Sequence, residues 1–268
     1  MSSTTSQDKE MSFLQHLDVL RKHLVRSAIV ILIMAVIVFV YAPWIFDNIV
    51  FAPLRNDFLS YKALCKLSVM TGIKDLCFQI HTKPLQALSA SEQFFNHIWI
   101  SIVLGIILAS PFVLYELWKF IRPALKDNEA NPVKSFISIS TFLFLLGILF
   151  GYFVLFPMSY NFLIHYQISE MGLVETHNTL EDYISLISTM VLVSGLIFEL
   201  PVLVFLLAKL GLITSTFMKK YRRHAVVIIL IIAAVITPSP DVASQVIVAL
   251  PLYILYEISI FVAKAVNS

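Results

Sequence analysis

Six apolar segments, each closed by a charge cluster or a proline, fill most of this chain of 268 residues. A run that long and that apolar satisfies its own backbone hydrogen bonds only as a helix when water is absent, so the pattern restricts the chain to a bundle of membrane-crossing helices. The fourth segment, from Met190 to Ala208, carries Glu199 among aliphatic residues and Pro201 two positions later. A carboxylate at that depth is costly, so it is expected to face a partner, a water-filled cavity or a ligand path.

Charged residues make up only 13% of the chain, against about 25% in a soluble domain. Spans are expected at roughly 24–45, 93–118, 134–157, 183–208, 222–237 and 242–263. The first meets Pro43 and Trp44 rather than a small-residue cleavage site, which reads as a retained helix, not a signal peptide. Fourteen of the nineteen Lys and Arg residues fall in the N-terminal segment, the second and fourth connections and after the last span. The other five lie in the long first loop, and the positive-inside rule then places both ends of the chain in the cytoplasm. The uninterrupted apolar run of the fifth span, Ala225 to Ile236, gives about 18 Å of helix, well short of the ~30 Å hydrocarbon core. The expected fold class is therefore an all-α membrane protein of six helices, in a single membrane domain covering 1–268. Residues 46–91 form a cap outside the cytoplasm.

That cap holds both cysteines, Cys65 and Cys77. On this topology they face an oxidising compartment, and a disulfide is favoured over two free thiols. Ser89 three residues before Glu92 is a capping-box pattern that starts the second span. Gly147 and Gly151 form a small-residue notch, whose simplest meaning is close packing on another helix of the same chain. Phe13, Leu14, Leu17, Leu20 and Leu24 recur at helical spacing with polar residues between them. They predict an amphipathic helix in the cytoplasmic N-terminal segment 1–23 that lies on the membrane surface before turning into the first span. Within it Asp18 is expected to pair with Lys22 or to bind a ligand.

No P-loop, HExxH, GxSxG or Cys/His cluster occurs, so enzyme, cofactor and metal readings have no support, and no nucleic-acid partner is expected. Polar residues in or beside the spans are few: Glu116, Glu199, Thr237, Asp241, Gln245 and Glu257. Asp241 reads as a first-turn acid of the sixth helix, and Gln245 as a bond to a neighbouring helix. Glu116, near Lys119 and the end of its span, reads as paired or in reach of water.

In order along the chain, several blocks resemble the TatC family, the multispanning receptor subunit of the twin-arginine protein translocase. They are His16-Leu17-Asp18-Val19-Leu20-Arg21, Ala52-Pro53-Leu54, Glu92-Gln93-Phe94-Phe95, and the run from Ser110-Pro111 through Tyr115, Trp118, Phe120 and Pro123 to Glu129. Phe198-Glu199-Leu200-Pro201 and Thr237-Pro238, Asp241, Ser244-Gln245, Pro251 and Glu257 complete them. The resemblance implies a cupped bundle in the bacterial inner membrane, with Glu199 on its concave face. It implies a site for twin-arginine signal peptides built from the N-terminal segment and the first cytoplasmic loop, with Asp18, Arg21, Phe120 and Glu129 as its residues here. It also implies an oligomeric complex with single-span partners of the TatA and TatB type, recruited by the proton-motive force. Thr237, Asp241 and Gln245, beside the short fifth helix, would then meet a partner helix. Three places depart from the family pattern: Val19 stands where a Glu is usual, Ala130 and Asn131 where an Arg often follows the loop glutamate, and Trp99 where a Lys is frequent. A proton-coupled transporter using Glu199 is the alternative; it predicts paired broken helices in two repeats, and the first three spans hold no counterpart of Glu199-Leu200-Pro201. A membrane scaffold without a ligand leaves Glu199 and the short fifth span unexplained.

Overall fold

The computed structural model describes residues 13–71, 84–121, 133–167, 177–237 and 242–267. Regular structure among them is helical: α1 (Phe13–Val40), α2 (Ala42–Ile45), α3 (Leu59–Thr71), α4 (Glu92–Ile121), α5 (Val133–Phe150), α6 (Phe156–His165), α7 (Leu180–Phe198), α8 (Leu200–Lys209), α9 (Ser215–Lys220), α10 (Arg222–Ile236) and α11 (Val242–Asn267). Pairing of extended backbone among the described residues is limited to an isolated bridge between Gln86 and Thr179. Among the described residues, five stretches are long and apolar enough to cross a bilayer: Leu17–Val40, Glu92–Ile121, Ile137–His165, Leu180–Lys209 and Gln245–Val266. The 15 residues of α10 reach only about 22 Å.

Three boundaries differ from the sequence reading, each for a backbone reason. Helix α1 runs without interruption from Phe13, so the amphipathic segment continues the span instead of turning onto a surface; no proline or glycine lies between Leu14 and Val40 to break it. Pro157, read as a stop, sits in the first turn of α6, just after a π-helical turn over Gly151–Leu155. A proline N–H is not needed there, and the helix carries on to His165. The fourth span is two helices. Pro201 has no N–H to extend the ladder. The Glu199 N–H closes a tighter turn on the Leu196 carbonyl at 3.2 Å, and the Glu199 carbonyl restarts the ladder with Val202 and Leu203 at 3.0 Å. Helix α8 ends at Gly211, whose φ of 72° is open to glycine at little cost.

Two antiparallel seams organise the bundle. Along α1 and α4, Phe39 stacks on His97 with ring centroids 3.9 Å apart, Gly105 meets the Ala35 backbone, and His23 bonds Glu116. Along α5 and α7, Gly147 and Gly151 lie on Ser194, Gly195 and Met190, so closely that a Cβ on Gly147 would stand 2.6 Å from the Ser194 carbonyl oxygen. Ser194 Oγ also donates to the Gly147 carbonyl. The small-residue notch is intramolecular packing, as the sequence indicated. Helix α11 packs on α8 and α10. Arg222 binds Glu257 at 2.6 Å and Gln245 donates to the Leu230 carbonyl at 3.1 Å, so α10 is fastened at two heights.

The first loop is held from three sides. Tyr61, Tyr152 and Tyr183, on three different elements, donate to the carbonyls of Pro53, Ile49 and Val50, each at 2.6 Å. These carbonyls belong to or follow the π-helical turn Phe46–Val50. Burial pushes the Tyr61 phenol well above its ordinary value, which keeps it a donor. Glu92 does more than cap its own helix. Its carboxylate accepts from the N–H groups of Leu88 (2.6 Å), Ser89 (3.3 Å) and Glu181 (2.9 Å), tying the starts of α4 and α7 together.

Candidate functional site

Glu199 occupies the junction of α7 and α8, half-buried and facing α5. Ser140, 1% exposed, lies two turns before Gly147 on the same seam. Its Oγ stands 2.9 and 2.8 Å from the two carboxylate oxygens and donates to them. The hydroxyl offers one proton, so the carboxylate keeps acceptor capacity for a further donor. The helix break is what permits this arrangement. It places the acid where the α7 ladder is interrupted and lets the side chain turn into the seam.

The second constellation lies where α1 begins and α4 ends. Glu116 is 4% and His23 9% exposed; His23 Nδ1 and Glu116 Oε2 form a hydrogen bond between the two helices. The sequence reading placed Glu116 near water or a local lysine, and the structure buries it against α1 instead. An imidazole at position 23 was legible only as one polar residue among several. Phe120, one turn beyond Glu116, sets its ring edge-on to His23 at 6.2 Å. Asp18 and Arg21 are exposed and line a shallow depression with Lys22, Val25 and Arg26. Among the described residues Asp18 makes no ion pair with Lys22.

Elsewhere, Thr237 is buried and its hydroxyl donates to the Ala233 carbonyl at 2.8 Å. Glu257 is accounted for by Arg222 and by the Tyr253 hydroxyl at 3.0 Å. Cys65 on α3 is disulfide-bonded. Glu129, Asp241 and Cys77 lie outside the described residues. Among the described residues no three His, Cys, Asp or Glu side chains converge as a metal site would require.

Apolar helices of spanning length, joined by small-residue seams and carrying buried polar pairs, define a multi-pass helical membrane protein. The family model "TatC: Sec-independent protein translocase protein (TatC)" matches residues 15–251. The Sec-independent protein translocase protein TatC of Blattabacterium sp. subsp. Periplaneta americana is 38% identical over 98% of each chain. That of Carboxydothermus hydrogenoformans is 36% identical over 97% of this chain and 96% of its own. A solved twin-arginine translocase receptor TatC superposes with a TM-score of 0.68 at 35% identity, covering 94% of this chain and all of that one. The chain belongs to the TatC family of Sec-independent protein translocase proteins.

Proposed function

We infer that this chain is the signal-peptide receptor of a twin-arginine translocase in a bacterial inner membrane, and that it works by binding and recruitment rather than by catalysis. The single observation that carries the reading is the likeness to TatC proteins over nearly the whole of both chains. The site geometry supports it. Paired guanidinium groups call for carboxylates able to accept in parallel. Asp18 stands exposed and without an ion pair among the described residues at the start of α1, and Glu129 follows α4 in the next connection. Phe120, at the end of α4, supplies an aromatic ring of the kind that packs on an arginine plane or on an apolar residue of the signal peptide.

In this reading both ends of the chain are cytoplasmic and α10 is a sixth, short span. Exposed aromatics support such a placement: Tyr41, Trp44, Phe94, Phe95 and Trp99 gather at one end of the α1–α4 pair, and Tyr115 stands at the other, as interfacial belts do. The outer face of α10 is apolar and uncovered, with only Ile229 and Ala233 buried. It is the docking edge for a single-span partner, with Thr237 at the end of α10 and Asp241 and Gln245 next in the chain as its polar residues. Cys65 pairs with Cys77, the chain's other cysteine. Glu199 acts after the precursor is bound, since it stands within the apolar run of its span rather than in the N-terminal segment or the first cytoplasmic connection, and it retains acceptor capacity. The test is Glu129→Ala. The variant is expected to insert normally and to lose binding of a twin-arginine precursor, and unchanged binding would remove Glu129 from the site.

A further inference from the structure

The bond between His23 and Glu116 is not needed to close the seam it sits in. Gly105 already lies against the Ala35 backbone, and Phe39 already stacks on His97 at the far end. A buried pair of ionisable groups is weak evidence for stability; its better-attested use is to fix a register. The register matters here because the other ties, Ala35 on Gly105 and Phe39 on His97, lie in the far half of α1, away from Asp18 and Arg21. Only 11% of its apolar window is buried, and α4 is its principal neighbour. From Leu17 onward, where the side chains of α1 are described, this pair is the first side-chain hydrogen bond along the helix. Asp18 and Arg21 project beyond it on one helix, and Phe120 lies one turn beyond it on the other, edge-on to the same imidazole.

We propose that His23 and Glu116 are positioning residues for precursor recognition: their bond fixes the start of α1 on the end of α4, and so holds Asp18 and Arg21 in register with Phe120. This rests on the receptor reading above. The Gly105–Ala35 approach and the bond between His97 and the Phe39 carbonyl at 3.1 Å fix the far half of the seam, and an apolar contact at position 23 would leave the first turns of α1 free to rotate over a fraction of a turn. A directional bond between two short, buried side chains does not allow that freedom.

The test uses the full-length receptor in lipid nanodiscs and a fluorescent twin-arginine signal peptide, with its Lys-Lys version as control. The decisive variant is the double substitution His23→Leu with Glu116→Leu, which replaces the pair by apolar groups and is expected to fold. It should melt within a few degrees of wild type yet bind the twin-arginine peptide on the order of tenfold more weakly. The single change His23→Arg, which retains a donor for Glu116, should keep binding near the wild-type level. Crosslinking of a single-span partner to cysteines along 228–237 is a readout at the far side of the bundle, and it should not change in either variant. Wild-type peptide affinity in the double-leucine variant would overturn the proposal, as would an equal loss of peptide binding and partner crosslinking. Failure of the receptor reading looks different: the wild-type protein itself would then bind the Arg-Arg and Lys-Lys peptides alike.

Discussion

Substituting Gly147 by alanine tests the α5–α7 seam on which Glu199 depends. An added Cβ would stand 2.6 Å from the Ser194 carbonyl oxygen, 2.8 Å from Phe198 Cβ and 2.9 Å from Gly195 Cα. Two of these are backbone atoms of a packed helix and cannot swing aside. Relief requires the helices to part, and overpacking of this kind costs about 1–3 kcal/mol. The better helix propensity of alanine returns about 1 kcal/mol. Because the crowded atoms are backbone, the overpacking cost falls in the upper half of that range, and a net loss of about 1–2 kcal/mol remains, which lowers Tm by roughly 2–8 °C for a chain of this size. Ser140 lies two turns away on the same seam, so parting the helices also weakens its bonds to Glu199. The assay is thermal unfolding of the purified protein in detergent, with Gly211→Ala as comparison. Gly211 has open space around it and its left-handed backbone alone is penalised, by about 1 kcal/mol. A Gly147→Ala protein that melts at or above wild type would refute the close-packed seam.

Ser140→Ala should reproduce the Glu199→Ala phenotype: precursor bound at rest as in wild type, but folded substrate transported several-fold more slowly, read by an export assay. Transport at the wild-type rate by Glu199→Ala would reduce that acid to a tolerated polar group. Glu92→Ala removes the shared acceptor of three backbone N–H groups. Hydrogen bonds to a charged group contribute about 1.5–3 kcal/mol each, so a Tm drop larger than that of Gly147→Ala is expected, and an unchanged Tm would discount the link between α4 and α7. Cys65→Ser should lower stability by about 2–4 kcal/mol and abolish the mobility shift of the oxidised protein on non-reducing gels; no shift in wild type would place the thiols apart.

Much of the fold is legible in the sequence because hydrocarbon leaves so few options. The five long helices and the short α10 follow from the length of each apolar run and the charges or prolines that close it. Gly147 and Gly151 are legible as packing, since only small residues allow backbones so near. Their partner is not, because the register of α5 against α7 is set by the intervening connection and by Ser194 and Gly195, which carry no signal of their own. Ser140 is hidden for the same reason: a serine in a span reads as neutral until a register sets it opposite Glu199. The π-helical turn before Pro157 leaves no mark, as the same apolar residues suit either ladder. His23 and Glu116 are 93 positions apart and each has an adequate local explanation, so nothing in the sequence joins them. The unbroken start of α1 is not legible, because amphipathic spacing describes a surface, not a bend.

The most direct measurement is site-specific photocrosslinking from position 120 to a folded precursor in native membranes, run with an Arg-Arg signal peptide and its Lys-Lys counterpart. A receptor site at the junction of α1 and α4 predicts a strong adduct near the arginine pair that is lost in the Lys-Lys precursor and in the Glu129→Ala receptor. An adduct of equal strength with both precursors, or one found only from probes at the opposite end of the bundle, would contradict the assignment of this chain as the twin-arginine receptor.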